Sequence, residues 1–221
     1  MTGTGSRDQA IAQRDHAIAA LRTDGAALDV SALPSFGFGH RSIMWWGTMG
    51  LIAIESTVFA LAVATYFYIR SQAAVWPLAE LPPQLLWGSV NTALFLLSLW
   101  PAHKAKHASE KLDLPGTRRW VSASSAMALA ILVVRVFEYR SLNCSWDGSA
   151  YGSAVWLLLS LHTVHLITDA YDTLVLNVLA FTGPLEGKRF VDMSENAMYW
   201  YFVVWSWLPI YAVLYWAPRG G

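Results

Sequence analysis

Hydrophobic residues in this chain come in long continuous runs, not in the short alternations of a soluble sheet. Five runs, at about 43–69, 85–101, 120–138, 153–181 and 197–216, are long enough to cross a bilayer, since a span needs ~20 mainly apolar residues. The second, "LLWGSVNTALFLLSLWP", is the shortest and must stand nearly upright, whereas the fourth is the longest and must tilt or project. Trp45, Trp46, Tyr66, Tyr68, Trp120, Tyr151, Tyr215 and Trp216 sit at run ends, as expected for rings at the two membrane interfaces. The pattern predicts an all-α integral membrane protein of five transmembrane helices.

Composition agrees with lipid as the main solvent. The 221 residues are 55% hydrophobic and 14% charged, against roughly 25% charge in a soluble domain. Formal net charge is zero, so there is no nucleic-acid footprint. The single Cys144 cannot form an internal disulfide or anchor a thiolate cluster.

Basic residues predict the orientation. Arg7, Arg14, Arg22, Arg41, Lys104, Lys106, Lys111, Arg118, Arg119, Lys188 and Arg189 fall on one side, eleven in all, against Arg70, Arg140 and Arg219 on the other. The positive-inside rule then places the N-terminus in the cytoplasm and the C-terminus outside. Residues 1–42 form a cytoplasmic tail, Ala-rich and mixed in charge, with no apolar signal core ahead of a cleavage site. Ile11, Ile18 and Leu21 share a helical face there, which suggests a short amphipathic helix, in a mobile tail or docked on a partner. Residues 43–221 form the membrane domain.

The fourth span carries the polar chemistry. In "LLLSLHTVHLITDAYDTL", His162, His165, Asp169 and Asp172 stand at i, i+3, i+7 and i+10, one stripe at about 100° per residue. Such a stripe must face protein, water or a headgroup. Glu55 of the first span lies about 18 Å from its cytoplasmic end, and His162 and His165 lie roughly 14 and 18 Å below the outer surface. Across a ~30 Å core these depths nearly coincide, so Glu55 is expected to meet His162 or His165. The cluster reads as a satisfied buried carboxylate, as a protonatable or lipid-contacting site, or as a metal site. Arg135 and Glu138, three residues apart in the third span, read as a local ion pair or as a grip on an anionic lipid headgroup.

Redox centres on this chain are not expected. His162 and His165 share a helix face and cannot both ligate one haem iron axially. A dinuclear thiolate copper site needs two cysteines, and a di-iron cage needs paired Glu-x-x-His motifs that the chain lacks. His103 and His107, in "AHKAKHASE", are separated by lysines and read as part of a solvated basic loop.

Five segments, in order, resemble subunit III of the haem–copper respiratory oxidases, the cytochrome c and quinol oxidases. "WWGTMGLIAIESTVFALAVATYFYIR" is similar to that family's W-G-x7-E helix, with Glu55 eight residues after Gly47. "NTALFLLSLWPAHKA" is similar to its N-T-x-x-L-x-x-S segment and "FEYR" to its F-E-Y helix end. "YGSAVWLLLSLHTVHLI" is similar to its Y-G-S leading to H-x-x-H, and "NAMYWYFVVWSWLPIYAVLYW" to its closing helix. The resemblance covers residues 45–216 and fits the short form of five helices. Tyr201 and Val204 stand where the family has His and Asp, Thr163 stands where Gly is common, and Asp169 and Asp172 lie outside the pattern.

The resemblance implies an accessory, non-catalytic subunit of a cytochrome c or quinol oxidase in the bacterial cytoplasmic (inner) membrane. It would serve aerobic electron transport in the respiratory chain, with oxygen reduced to water and protons translocated. It would have no catalytic or metal-ligating residue and no cofactor of its own, haem and copper residing in partner subunits I and II. It would bind phospholipid and support proton uptake and stability. Glu55 would be the family's carbodiimide-reactive glutamate, joined in a proton and structural network with His162, His165, Asp169 and Asp172, and Arg135 and Glu138 would contact lipid. The alternatives are a subunit III-like protein of a nitric oxide reductase system, or a membrane metal enzyme or transporter. An oxygenase calls for many cytoplasmic histidines and a transporter for inverted repeats or broken helices. The charge asymmetry makes a direct prediction: a cysteine at Ser109 stays unmodified by a membrane-impermeant thiol reagent in intact cells, and one at Ser149 reacts.

Overall fold

The computed structural model describes residues 36–78, 80–183 and 185–219. Five helices carry the chain, and among the described residues there is no strand. They are α1 (Ile43–Gln72), α2 (Leu85–Glu110), α3 (Leu114–Arg140), α4 (Ala150–Thr182) and α5 (Gly187–Tyr211). All five are long and apolar enough to cross a membrane. The protein is therefore a multi-pass membrane protein. α5 ends in a π turn, Ala212–Trp216, and a 3-10 turn, Ala217–Arg219.

Helix starts are set by side-chain caps. Ser42 accepts from the Met44 amide at 3.1 Å, Asp113 from Gly116 at 3.2 Å and Ser149 from Gly152 at 3.0 Å. Each satisfies one of the amides that a first turn leaves without a partner.

Three helices run past their apolar stretches. α2 continues through "AHKAKHASE" as helix, so His103 and His107 stand on its last turns and not in a loop. The reason is a period hidden by composition. Ala102, Ala105, Ala108 and Ser109 are buried at helical spacing, while Lys104 and Glu110 are exposed. An i, i+4 pair, Lys106–Glu110 at 2.7 Å, braces the exposed side. Pro101 lies inside this helix; it gives up one backbone bond, which neighbouring helices make tolerable. Likewise α3 begins at Leu114 and α5 at Gly187, several residues ahead of the apolar runs.

α2 packs on α3 and α5, α3 on α4, and α4 on α5, which closes a ring of four helices. Phe95, Ile131, Leu158, Leu159, Leu166, Val203 and Trp207 fill its centre. α1 leans on the outside of α4 and α5 and buries only Phe59 and Tyr66. Residues 43, 110, 114, 182 and 187 share the N-terminal end of the bundle; residues 72, 85, 140, 150 and 219 share the opposite end. The amphipathic helix expected before residue 36 lies outside the described residues.

The opposite end is latched by polar contacts. Trp76 donates to the Tyr66 hydroxyl at 3.0 Å, the Gln84 amide to the Ser141 carbonyl at 3.0 Å, and Asn143 to the Pro82 carbonyl at 3.1 Å. Arg219 donates to the carbonyls of Tyr215 and Pro83. Cys144 lies among these loops, and burial pushes its thiol up to about 11, with Glu80 adding to the effect. A thiol so shifted is largely protonated at neutral pH and reacts slowly, so the native cysteine is nearly silent in labelling. Ser109 is fully buried, and the topology reporter on its side therefore belongs at exposed Lys111.

α5 and α2 meet without clearance at Gly88. A Cβ there would collide with the Tyr215 ring. Gly88→Ala therefore forces the ring aside, and we expect a loss of about 1–3 kcal/mol, the usual range for overpacking, read as a lower melting temperature of the purified protein in detergent.

Candidate functional site

Two polar clusters lie inside the helices. The first sits at the centre of the ring. Arg135 and Glu138 on α3 are 2% and 0% exposed, with Arg135 Nη1 3.0 Å from Glu138 Oε2. Asn91 of α2 donates to Glu138 Oε2 at 2.8 Å, and the Tyr215 hydroxyl donates to Oε1 at 2.6 Å. Arg135 Nη2 lies 3.1 Å from His162 Nδ1 on α4, and His162 Nε2 lies 2.9 Å from the Val203 carbonyl on α5. A guanidinium only donates and a carbonyl only accepts. His162 is therefore neutral, with its proton on Nε2. The guanidinium also stands 4.2 Å over the Trp207 ring and 5.7 Å from Phe95, where the π faces favour a cation. All four helices of the ring thus contribute to one charge pair.

The second cluster joins α1 to the ring. Glu55 Oε1 lies 3.5 Å from His165 Nε2, and Tyr199 of α5 donates to Glu55 Oε2 at 2.5 Å. His165 Nδ1 lies 2.7 Å from the Leu161 carbonyl, so Nδ1 carries a proton. The cluster is a carboxyl held between an imidazole at ion-pair distance and a phenol on its other oxygen. It is not sealed: the side chains of His165 and Glu55 are 13% and 19% exposed.

The predicted stripe divides. His165 meets Glu55 as expected from the depth match, whereas His162 turns the other way, to Arg135. Three residues of helix rotate a side chain by about 60°, enough to face α3 and α5 instead of α1. Asp169 is 2% exposed, and its Oδ2 has no hydrogen-bond partner. Asp172 is exposed. The polar groups of Arg135 and Glu138 point into the ring. Thr163, in place of the smaller glycine, accepts from the Tyr139 hydroxyl at 3.2 Å and so ties α4 to α3. Val204 is fully buried. Among the described residues no group of three or more metal-ligating side chains comes together. Asn91, Tyr199 and Trp207 are not singled out by the sequence, and Tyr215 is read there as an interface ring. A polar Asn91 amid "LLWGSVNTALFLL" was the one available signal, since an amide in a span seeks a partner.

This arrangement defines a polytopic bundle in which one helix is clipped to a four-helix ring through a carboxylate–imidazole–phenol contact. No family model matches the chain. It is 24% identical over 219 residues to cytochrome c oxidase subunit 3 of Synechocystis sp., covering 95% of this chain and 93% of that protein. It is 23% identical to cytochrome c oxidase subunit 3 of Thermostichus vulcanus, over 80% of this chain and 88% of that one. It is 29% identical to a probable cytochrome c oxidase subunit 3 of Mycobacterium tuberculosis, over 76% and 85%. The resemblance to the subunit III family seen in the motifs is thereby borne out along most of the chain.

The first cluster predicts a graded response. Arg135→Met leaves Glu138 buried without its cation and should cost about 3–5 kcal/mol of stability. Arg135→Met combined with Glu138→Gln removes both charges and should recover part of that loss, as a double-mutant cycle of thermal unfolding in detergent would record.

Proposed function

We propose that this chain is subunit III of a haem–copper terminal oxidase, an accessory subunit that lies in a bacterial cytoplasmic membrane and packs against catalytic subunit I in a complex that also contains subunit II. The observation that carries this reading is Glu55. It occupies the glutamate position of the W-G-x7-E helix, and it is held by His165 at 3.5 Å and Tyr199 at 2.5 Å. The relatives are themselves named as subunit 3 of cytochrome c oxidases. The eleven-to-three charge asymmetry supports a cytoplasmic N-terminal end.

In this reading the chain carries no redox centre, and haem and copper belong to its partners. Support comes from the histidines: both ring nitrogens of His162 are bonded to protein groups, and His165 has Nδ1 on Leu161. Phospholipid packs along the weakly buried α1. Glu55 and His165 hold or pass a proton near the membrane middle and so support proton uptake by the catalytic subunit.

An affinity tag on this chain, used in its own organism with mild detergent, should recover subunits I and II with haem absorption, copper and oxygen uptake. Glu55→Gln should leave the complex assembled and able to reduce oxygen, with a changed pH profile or faster loss of activity during turnover. Recovery of the chain alone, or with a nitric oxide reductase pair, would overturn the assignment.

A further inference from the structure

We infer that α1 and the α4–α5 pair enclose a water-filled crevice, open at the N-terminal end of the bundle, that leads past Asp172 and Asp169 to the Glu55–His165–Tyr199 cluster. The inference deepens the reading of Glu55 as a proton-handling group by giving it a route to water.

The first observation is how α1 is seated. Its two buried residues, Phe59 and Tyr66, both lie beyond Glu55 toward the opposite end. Trp45, Thr48, Met49, Ile52 and Glu55 are spaced to face α4 and α5, yet each is only half-buried. The helix buries side chains fully only beyond Glu55 and half-buries them before it.

The second observation is a buried carboxyl with nothing to bond. Asp169 lies one turn from His165 on the same face of α4. It is 2% exposed; among the described residues Oδ2 has no donor and no Lys or Arg forms an ion pair with it. A buried polar atom without a partner is costly, and an acceptor of this kind is satisfied by a molecule that donates hydrogen bonds.

The third observation is the mouth. Asp172 is exposed and lies a further turn along α4 toward the same end. Three carboxyls thus descend from the exposed Asp172, through the orphaned Asp169, to Glu55 beside His165. Water is an occupant that supplies a donor to Asp169, needs no cation site, and fits between half-buried apolar walls.

The test uses membrane vesicles of the complete complex, prepared in both orientations. A cationic trimethylammonium thiosulfonate, added from the side of the N-terminal end, should modify Met49→Cys and Ile52→Cys about tenfold faster than Ile54→Cys on the exposed face, because the reacting thiolate forms only where water reaches the sulfur. A water-soluble carbodiimide added from the same side should modify Glu55, read by mass spectrometry, and Asp169→Leu should abolish that modification. Equal rates at positions 49, 52 and 54 would overturn the crevice. So would modification of Glu55 by a hydrophobic carbodiimide alone, or an Asp169→Leu variant that reacts at the parental rate. These readouts do not depend on which subunits co-purify, so they fail separately from the assignment to an oxidase.

Discussion

A guanidinium inside a membrane bundle constrains everything around it. Arg135 cannot reach an interface from the centre of the ring, so its charge must be met where it stands. Glu138 meets it, and then needs donors for its own remaining lone pairs. Asn91 and Tyr215 supply them, which fixes α2 and the end of α5 against α3. His162 accepts from the guanidinium and passes the connection to the Val203 carbonyl, which fixes α4 against α5. Apolar packing alone would leave the ring free to slide, because lipid tails are as apolar as the helices. The charge pair supplies register.

α1 obeys a different rule. Among the helices it packs on α4 and α5, buries two residues, and returns most of its hydroxyls to its own backbone, as Thr48, Ser56, Thr57 and Thr65 do. Glu55 is its polar tie to the ring. A single carboxylate thus secures the outermost helix to the ring.

Much of this was visible in the amino-acid order. Span number followed from run length, because backbone satisfaction in lipid leaves helices as the economical solution. The Glu55–His165 contact followed from depth, since rise per residue converts position into height. What was hidden had physical causes. The last turns of α2 were read as a loop because Lys and His dominate composition there, while the alanines that pack are inconspicuous. Pairing His162 with Arg135 could not be read from either helix alone; it depends on azimuth, and a stripe about one-fifth of a turn wide still spans two different neighbours. Tyr215 reads from its place at a run end as an interface aromatic, and only the inward direction of its hydroxyl, toward Glu138, separates it from the belt.

The spacing of Arg135 and Glu138 has a consequence for biogenesis. A chain entering the bilayer from its N-terminus inserts α3 before α4 and α5 exist in the membrane, so the nascent helix faces lipid without His162, Val203, Trp207 or Tyr215. Had the two charges been assigned to different helices, each would cross the translocation machinery as an unscreened ion. Placed three residues apart on one helix, with nitrogen and oxygen 3.0 Å apart, they enter as an internally compensated dipole. The later helices then wrap a charge pair already at rest, and the order of synthesis becomes the order of assembly.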